Sequence, residues 1–296
     1  QKGNCKIIYD FVDSYLDVPK WNIKGLLRGS AKYIAGQNRY LRLNHWKALE
    51  AMCQRADAVA CSTEEQQMSI RPFCKNVHVI LDFHFMLMHC YKTDYSVDDT
   101  FNFVWEGMAG NLKFAFEIKE VLQALSSKYK IAFHVVTDLK YGKYMGKYFI
   151  KPTLPLAKKI FDNSYIHELK GKTYASIMSS FDMALIPVPL SKPLGLDSSL
   201  AIGKPINKLL LLWRMGIPTL VSATPAYERA MTECGLNMTC RTSDEWFNML
   251  EKYINDQSAR KEAGQRGKIF ADQNYSEDIL LSHWDKLFAS VLLNKD

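Results

Sequence analysis

From residue 101 onward, the chain is a succession of short apolar segments separated by segments in which apolar residues recur with helical spacing. The apolar segments span residues 101–105, 131–137, 183–187, 217–222 and 237–240. The helical segments span residues 111–128, 172–180, 204–215 and 225–234. The apolar segments have too few polar residues to alternate between core and solvent, and a helical segment follows each of the first four. This pattern predicts a parallel sheet covered by helices on both faces.

The amino-terminal part has fewer strand-like segments. Residues 5–11, 57–61 and 76–81 are predicted strands, and a long helical stretch separates the first two. Residues 84–100 have no regular period and are expected to lead into a second domain. Residues 276–293 form a predicted amphipathic helix.

Composition and segment order together favour two globular domains. The chain has 296 residues, of which 48% are hydrophobic and 23% charged, enough for two cores. We predict an α/β fold of two Rossmann-like, doubly wound domains, the first reduced, divided at residues 1–95, 96–275 and 276–296. Such domains bind ligands at the carboxyl ends of their strands. The longest aliphatic run, residues 209–212, is far shorter than the ~20 residues of a membrane span, which excludes an integral membrane protein.

The cysteines exclude two further classes of protein. There are seven, and no two form a C-x-x-C pair. An odd number in mostly apolar surroundings argues against a disulfide framework or a zinc ribbon and favours a reducing compartment. We therefore expect a cytoplasmic protein, associated with a membrane surface if the basic segment below binds lipid, and we expect no metal.

A basic segment lies near the amino terminus of a chain whose net charge is +7. Residues 18–47 contain no acidic residue and seven basic ones: Lys20, Lys24, Arg28, Lys32, Arg39, Arg42 and Lys47. The interleaved aromatic residues are Trp21, Tyr33, Tyr40 and Trp46. This mixture is typical of an anionic membrane surface or lipid acceptor, of single-stranded nucleic acid binding, and of a solvated helix face with its aromatics in the core. The predicted acceptor or membrane surface is Lys20, Trp21, Lys24, Arg28 and Lys32; nucleic acid is the least favoured partner.

The segment 203–208 places two lysines, Lys204 and Lys208, in the first turn of a predicted helix. The helix dipole disfavours positive charge there by about 0.3–1 kcal/mol per charge. An anion held between the lysines and the free backbone N–H groups would reverse that sign. The alternative is that both ammonium groups bend into solvent. Because Pro205 stands where a Walker phosphate loop needs Ser or Thr, the segment is not such a loop.

A second segment, residues 105–113, combines a strand end, a loop with Gly107 and Gly110, and a helix start. Glycine allows a ligand to approach the backbone, and the helix start offers N–H donors. Lys113 is within reach of a phosphate bound there. A plain tight turn explains the same residues equally well, and no acidic residue follows at the spacing of a ribose-binding site.

Two acidic residues lie at the end of the first predicted strand, Asp10 and Asp13. In a doubly wound domain this end faces the ligand. Either carboxylate is a candidate general base, and turn formation or helix capping is the alternative interpretation.

The order of these segments resembles the GT-B-fold glycosyltransferases, in particular the family 4-like group. Residues 56–64 and 77–82 resemble the end of that family's acceptor-side domain, and residues 103–107 its first donor-side strand and glycine loop. The resemblance to its donor site is carried by three segments in turn: residues 181–187, then Lys204, Asn207 and Lys208, then residues 216–219. Tyr275 and Ser276 before Trp284 resemble the start of the helix that returns to the first domain.

The resemblance implies a nucleotide-sugar bound mainly by the second domain and an acceptor bound by the first. The residues implied to face the donor diphosphate are Gly107, Lys113, Lys204, Asn207 and Lys208. Fixed cations and a helix N-terminus stabilise a departing diphosphate without a metal. The expected activity is therefore metal-independent transfer of a sugar to a hydroxyl of a glycan or a lipid-linked acceptor, with no cofactor beyond the donor substrate.

The chain departs from the family pattern in two places. Many members carry two Glu residues before the Gly-x-Pro turn, and the matching positions here are Gly203 and Leu211. The family's first domain also begins with more strand–helix units. These departures favour the alternative hypothesis of a catalytically degenerate module that binds a nucleotide or glycan as a scaffold.

Overall fold

The computed structural model describes residues 5–14, 45–82, 89–142, 150–168, 173–190 and 201–292, with the single positions 16, 30, 33, 34, 36, 39 and 171. The chain divides into two compact units, one of residues 1–82, 191–205 and 277–296 and one of residues 83–190 and 206–276. By contacts, residues 83–95 thus group with the second unit and residues 191–205 with the first. The predicted division into an acceptor-side and a donor-side domain stays a prediction.

In the first unit, three parallel strands form a sheet in the order β1-β2-β3. The strands are β1 (Ile8–Phe11), β2 (Ala58–Cys61) and β3 (Val77–Val79); the helices are α1 (His45–Arg55), α2 (Glu64–Ile70) and α10 (Glu277–Leu292). Every residue of β2 is buried. Val59 and Cys61 pack against Cys53 of α1, whereas Ala58 and Ala60 pack against Leu287 of α10. A strand without alternation is therefore covered on both faces.

In the second unit, six parallel strands form a sheet in the order β11-β10-β9-β4-β5-β8. They are β4 (Phe101–Glu106), β5 (Ile131–Thr137), β8 (Ser164–Glu168), β9 (Met183–Ile186), β10 (Thr219–Ser222) and β11 (Thr239–Cys240). An antiparallel hairpin joins β6 (Lys140–Gly142) and β7 (Ile150–Pro152). The five strands predicted in this region are confirmed. Strand β8 was not predicted because its sequence, Ser-Tyr-Ile-His-Glu, mixes polar and apolar residues, as an edge strand allows.

Seven α-helices of the described residues belong to this unit. They are α3 (Lys119–Ser126), α4 (Leu154–Ile160), α5 (Tyr174–Ser179), α6 (Asn207–Arg214), α7 (Pro225–Cys234), α8 (Ser243–Asn255) and α9 (Gln257–Asn274). Helix α7 has the predicted bounds. The Thr224 hydroxyl accepts from the backbone N–H of Tyr227 at the start, and Gly235 ends the helix with φ +69°, in agreement with the preferences of helix caps.

Two predicted helices differ from the structure. The first turns after β4 form a 3-10 helix, Ala109–Ile118, rather than an α-helix. Its buried residues, Ala109, Leu112, Ala115 and Ile118, recur every three positions, which is the 3-10 period. Helix α6 begins at Asn207 rather than at residue 204, because Pro205 disfavours helical backbone at Lys204. Lys208, but not Lys204, therefore lies in the first turn.

The fold class is α/β with two Rossmann-like units, of which the first has the smaller sheet. The helices of the described residues include none with the length and apolar character that a membrane crossing requires.

Candidate functional site

The strand order of the second sheet locates its ligand-binding edge. From β4 the sheet extends through β5 to β8 on one side, and later strands β9, β10 and β11 extend it on the other side. The direction reverses between β4 and β9, and doubly wound sheets bind ligands beyond the carboxyl ends of the strands at such a point. Glu106 ends β4 at this edge, and helices α5, α6 and α7 begin at the same edge because each follows a parallel strand.

Lys208 and Glu106 form the charged pair of this edge. The Lys208 Nζ lies 3.6 Å from the Glu106 Oε2, and their side chains are 28% and 14% exposed. The same ammonium donates to the backbone carbonyl of Glu106 and lies 5.3 Å from the centroid of the Trp105 ring. From the sequence, either a bound anion or solvent was expected around the Lys208 ammonium. The structure shows a third arrangement, in which the Glu106 carboxylate is its partner.

Gly107 is the residue that allows this pair to form. Its φ is +152°, and a Cβ there would lie 2.6 Å from the Lys208 Nζ. Thr137 Oγ1 donates to the Gly107 carbonyl at 2.6 Å, and the Gly107 N–H donates to the Val136 carbonyl at 3.2 Å. The φ at this position favours glycine, and a Cβ here would displace the Lys208 ammonium from the contacts with Glu106.

Three buried polar atoms at this edge have no hydrogen-bond partner among the described residues: Tyr174 Oη, Asn207 Oδ1 and Tyr227 Oη. Tyr174 opens α5, Asn207 opens α6, and Tyr227 lies in the first turn of α7. Other such atoms occur elsewhere, including Ser14 Oγ and Trp213 Nε1. A buried polar group without a partner costs about 1–3 kcal/mol, and water or a ligand can satisfy it. Three of the six such atoms among the described residues lie at this edge, which makes the edge a candidate binding site.

The two phenols are held in the protonated form. Burial raises the pKa of Tyr174 and Tyr227 well above the usual value, and the nearby carboxylate of Glu106 raises both further. Each hydroxyl therefore remains a hydrogen-bond donor throughout the physiological pH range. Together with the Lys208 ammonium, they form a set of donors suited to phosphate or sugar oxygens.

The structure brings together Gly107, Asn207 and Lys208 of the residues predicted to bind the donor diphosphate. Lys113 lies in the 3-10 helix, with its Nζ 5.0 Å from the centroid of the Phe114 ring. Lys204 groups with the first unit. Their roles toward a ligand stay predictions.

In the first unit, Gly203 lies against Ser14. A Cβ at Gly203 would lie 1.6 Å from the Ser14 Oγ, and the Gln66 Nε2 donates at 3.0 Å to both the Gly203 and the Val12 carbonyls. No side chain fits at Gly203 without displacing this contact. A glutamate at this position, which the resemblance to the glycosyltransferases would imply, would clash with Ser14.

The structure places the two candidate bases differently from one another. Asp10 lies within β1 rather than after it, and strand alternation puts its side chain on the face that carries Ile8 and α10. Burial and the neighbouring Asp82 raise the pKa of Asp10. Asp13 follows the strand and is exposed. The predicted acceptor surface, Lys20, Trp21, Lys24, Arg28 and Lys32, lies outside the described residues.

Glu106, Tyr174 and Tyr227 were not predicted as site residues. Glu106 ends an apolar strand directly before a glycine, and Tyr227 follows the Thr224-Pro225 helix start. Both signals are present in the sequence and both are common. Their proximity to Lys208 depends on strand order, which local patterns do not contain.

Among the described residues, no group of three His, Cys, Asp or Glu side chains is placed to hold a metal ion.

No protein-family model matches the chain, and no curated protein matches it either. Several solved structures match the chain. Sucrose-phosphate synthase from Thermosynechococcus elongatus aligns with 14% identity and a TM-score of 0.64 over 100% of this chain and 70% of its own. Anabaena HepE in complex with UDP and glucose aligns with 11% identity and a TM-score of 0.58 over 98% and 72%. WaaG, a glycosyltransferase of lipopolysaccharide biosynthesis, aligns with 13% identity and a TM-score of 0.53 over 95% and 73%. At these identities the likeness concerns the fold, and this chain has the α/β fold of GT-B type.

Proposed function

We propose that the protein transfers a sugar from a nucleotide-diphosphate donor to an acceptor hydroxyl, and that the carboxyl edge of the second sheet holds the donor. The observation that carries the proposal is the set of unpartnered polar atoms of Tyr174, Asn207 and Tyr227 around the Lys208–Glu106 pair. The set lies where the strand order reverses. Similarity to the UDP-bound HepE structure and to the glycosyltransferase WaaG supports it.

In the proposed chemistry, this edge supplies the groups that stabilise the leaving diphosphate, and the first unit supplies the candidate bases. The bond between the anomeric carbon and the diphosphate oxygen breaks, and a bond to the acceptor oxygen forms. Negative charge develops on the leaving diphosphate, and the Lys208 ammonium and the phenol donors of Tyr174 and Tyr227 stabilise it. The acceptor proton passes to a base, for which Asp10 and Asp13 of the first unit are the candidates. Metal independence and a glycan or lipid-linked acceptor are parts of this proposal.

The first experiment measures thermal stabilisation by UDP, GDP, ADP and CMP and by their sugar conjugates. A ligand that binds only the native state raises Tm by mass action. We expect at least one diphosphate to raise Tm and Lys208→Ala to abolish the increase. Lys130→Ala is the matched control, because this lysine lies beside the amino end of β5 and pairs with Asp99. A panel without any Tm increase, or an increase unchanged in Lys208→Ala, contradicts the proposed donor site.

The second experiment separates an enzyme from a binding module. Any nucleotide-sugar that raises Tm is incubated with the protein, and release of the nucleoside diphosphate is measured with and without candidate glycan and lipid-linked acceptors. Turnover supports a transferase. Binding without hydrolysis or transfer supports the alternative, a catalytically degenerate module that binds a nucleotide or glycan as a scaffold.

A further inference from the structure

The second sheet has a cavity at the edge opposite to the candidate donor site. Its volume is about 380 Å³, and Asn102 and Asp182 are among its lining residues. Asn102 is the second residue of β4, and Asp182 directly precedes β9. The cavity therefore lies at the amino ends of these strands. Its volume is in the range of about 300–1,000 Å³ that small-molecule sites occupy.

A buried ammonium group forms part of the cavity wall. The side chain of Lys92 is 6% exposed, and its nearest carboxylate oxygen, Asp182 Oδ1, is 4.0 Å away. That distance is too long for a hydrogen bond. Asp182 instead accepts from the backbone N–H of Asn102 at 2.7 Å and from its Nδ2 at 3.3 Å. Lys92 is one of the residues that line the cavity. Its ammonium lies 5.6 Å from the centroid of the Tyr95 ring and donates no hydrogen bond to another described residue.

The rest of the lining is rich in acceptors. The hydroxyls of Ser176, Ser179 and Ser180 each donate to a backbone carbonyl of their own segment, which leaves their oxygen lone pairs to accept. The carboxylate of Asp98 lines the cavity and makes no hydrogen bond or ion pair with another described residue. The backbone N–H and the hydroxyl of Ser96 both donate to Asp94, and both hydrogen bonds go to the same carboxylate oxygen, Oδ1.

The charge of the lining selects among ligand classes. One lysine, Lys92, and three carboxylates, Asp94, Asp98 and Asp182, give a formal charge of 1 − 3 = −2. Two cations lie just outside the lining: Lys268, whose Nζ is 4.8 Å from the centroid of the Tyr91 ring, and Arg260, whose charge acts on Asp182. The three carboxylates of the lining itself disfavour a phosphate or nucleotide. A free cation is disfavoured by the buried Lys92 ammonium in the wall. A neutral ligand with many hydroxyl groups satisfies both kinds of group, because each hydroxyl donates to one oxygen and accepts from an N–H.

We propose that this cavity binds a neutral saccharide, at a site separate from the donor site. In this assignment, Asp94 and Asp98 accept from sugar hydroxyls and Lys92 donates to one. Tyr91 lines the cavity and is 56% exposed. The Lys268 Nζ lies over its ring, 4.8 Å from the centroid, and in this assignment the opposite face of the ring covers the apolar face of the pyranose. The assignment does not depend on the proposed transferase activity, since every group that carries it lies at the amino edge of the sheet.

The test measures binding of glucose, galactose, N-acetylglucosamine and sucrose to the full chain by saturation-transfer NMR and calorimetry. We expect at least one sugar to bind and Asp98→Asn to weaken it about tenfold, as for one lost charge-assisted hydrogen bond. Asp99→Asn is the matched control, because Asp99 is the neighbouring carboxylate, is 93% exposed and pairs with Lys130 outside the lining. Lys208→Ala is expected to leave the sugar affinity unchanged.

Three outcomes overturn the assignment: no neutral sugar binds, Asp98→Asn binds as tightly as the wild type, or Lys208→Ala abolishes binding. Spermidine is a further probe, and binding of spermidine without any sugar would show a cation site instead. Lys92→Met is expected to weaken sugar binding as well. If that variant does not fold, Asp98→Asn at the exposed wall decides the question by itself.

Discussion

The two edges of the second sheet each contain a lysine–carboxylate pair, and the pairs have different surroundings. At the carboxyl edge, Lys208 and Glu106 are 3.6 Å apart, and buried phenols beside them lack partners. At the amino edge, Lys92 and Asp182 are 4.0 Å apart, and the buried groups around them are mostly satisfied. A lysine–carboxylate pair by itself therefore does not identify the kind of site.

The satisfied groups of the amino edge anchor the segment that enters the sheet. The Lys92 N–H donates to the Met215 carbonyl and the Tyr95 hydroxyl to the Gly216 carbonyl, each at 2.8 Å. Arg260 of α9 donates to the Tyr95 carbonyl at 2.9 Å. The buried layer of the amino edge therefore carries stability, whereas the buried layer of the carboxyl edge leaves polar groups unpaired, which the proposed donor would satisfy.

The largest expected effect tests the anchor. Arg260 is 3% exposed and donates to the carbonyls of Tyr95, Tyr253 and Ile254. We expect Arg260→Met to lower the free energy of unfolding by about 4 kcal/mol, because three carbonyls lose a buried donor. Urea denaturation measures the change. Arg266→Met on the same helix is the control. Arg266 donates to a single carbonyl, that of Gly235, at an exposed position, and its ion pair with Glu262 is also exposed, so the loss of both has little effect. Equal effects of the two variants would refute the anchor.

The second-largest expected effect is the loss of stability on protonation of His134, which lies in the same region. The amide nitrogen of Asn102 donates to the Thr100 carbonyl and to Asp182. The Asn102 Oδ1 therefore accepts from the His134 Nε2, 3.0 Å away. The His134 Nδ1 is then the acceptor for the His167 Nε2–H at 2.9 Å. A proton on that Nδ1 removes the acceptor of this bond and forces His167 into its other tautomer, so the arrangement favours neutral His134.

Stability is accordingly expected to fall in acid. Burial, and secondly the neighbouring His167, lower the pKa of His134 from 6.5 to about 4. The unfolded chain takes up its proton first, so stability decreases as the pH falls from 6.5 to 4, by roughly 3 kcal/mol in total. Urea denaturation from pH 7 to pH 4 measures it. Burial raises the pKa of Asp182, and this shift makes the protein more stable as the pH falls, which opposes the effect of His134. The pH dependence of His134→Gln is therefore measured alongside, and its difference from the wild type gives the contribution of the imidazole. An identical pH profile for both proteins would contradict the prediction.

Replacement of a buried tyrosine by phenylalanine is expected to change the free energy of unfolding in opposite directions at the two edges. Tyr227→Phe removes a buried hydroxyl without a partner and should stabilise the ligand-free protein by about 1 kcal/mol. It should also reduce any Tm increase caused by a nucleotide. Tyr95→Phe removes the donor to Gly216 and should destabilise by about 1 kcal/mol. Thermal and urea unfolding of the two variants measure these changes. If both variants are stabilised, or both destabilised, the two edges do not differ in the way described.

The smallest expected effect concerns Glu106. Glu106→Gln leaves the Lys208 ammonium without its carboxylate, so nucleoside diphosphates should bind about threefold more tightly. Calorimetry with the diphosphate identified in the thermal panel measures this change. Glu251→Gln, which removes the partner of Lys128 on an exposed surface, is the control. Weaker diphosphate binding in Glu106→Gln would instead show that the carboxylate itself contacts the ligand.

The parts of the fold that were predictable from sequence share a local cause. Strands β4, β5, β9 and β10 are predominantly apolar runs, and α7 has a Thr-Pro start. The departures also have local explanations that a helical period alone misses. The 3-10 helix follows from buried residues spaced by three, and the late start of α6 follows from Pro205.

The candidate site was only partly predictable. Gly107, Asn207 and Lys208 carry signals in their own segments: a glycine after a strand, and a lysine in a first helical turn. Tyr174 carries none, because a buried tyrosine is ordinary in a core. It becomes notable only because its hydroxyl has no partner among the described residues.

The amino-acid sequence by itself determined the succession of strands and helices and the parallel class of the sheet, because periodicity and caps act between residues close in the chain. Only the tertiary structure decided that Lys208 faces Glu106, that Gly203 has no room for a side chain, and which buried donors remain unpaired. The physical reason is that charge pairing and hydrogen bonding depend on distances of a few ångströms through space. Those distances are set by the order of strands in the sheet.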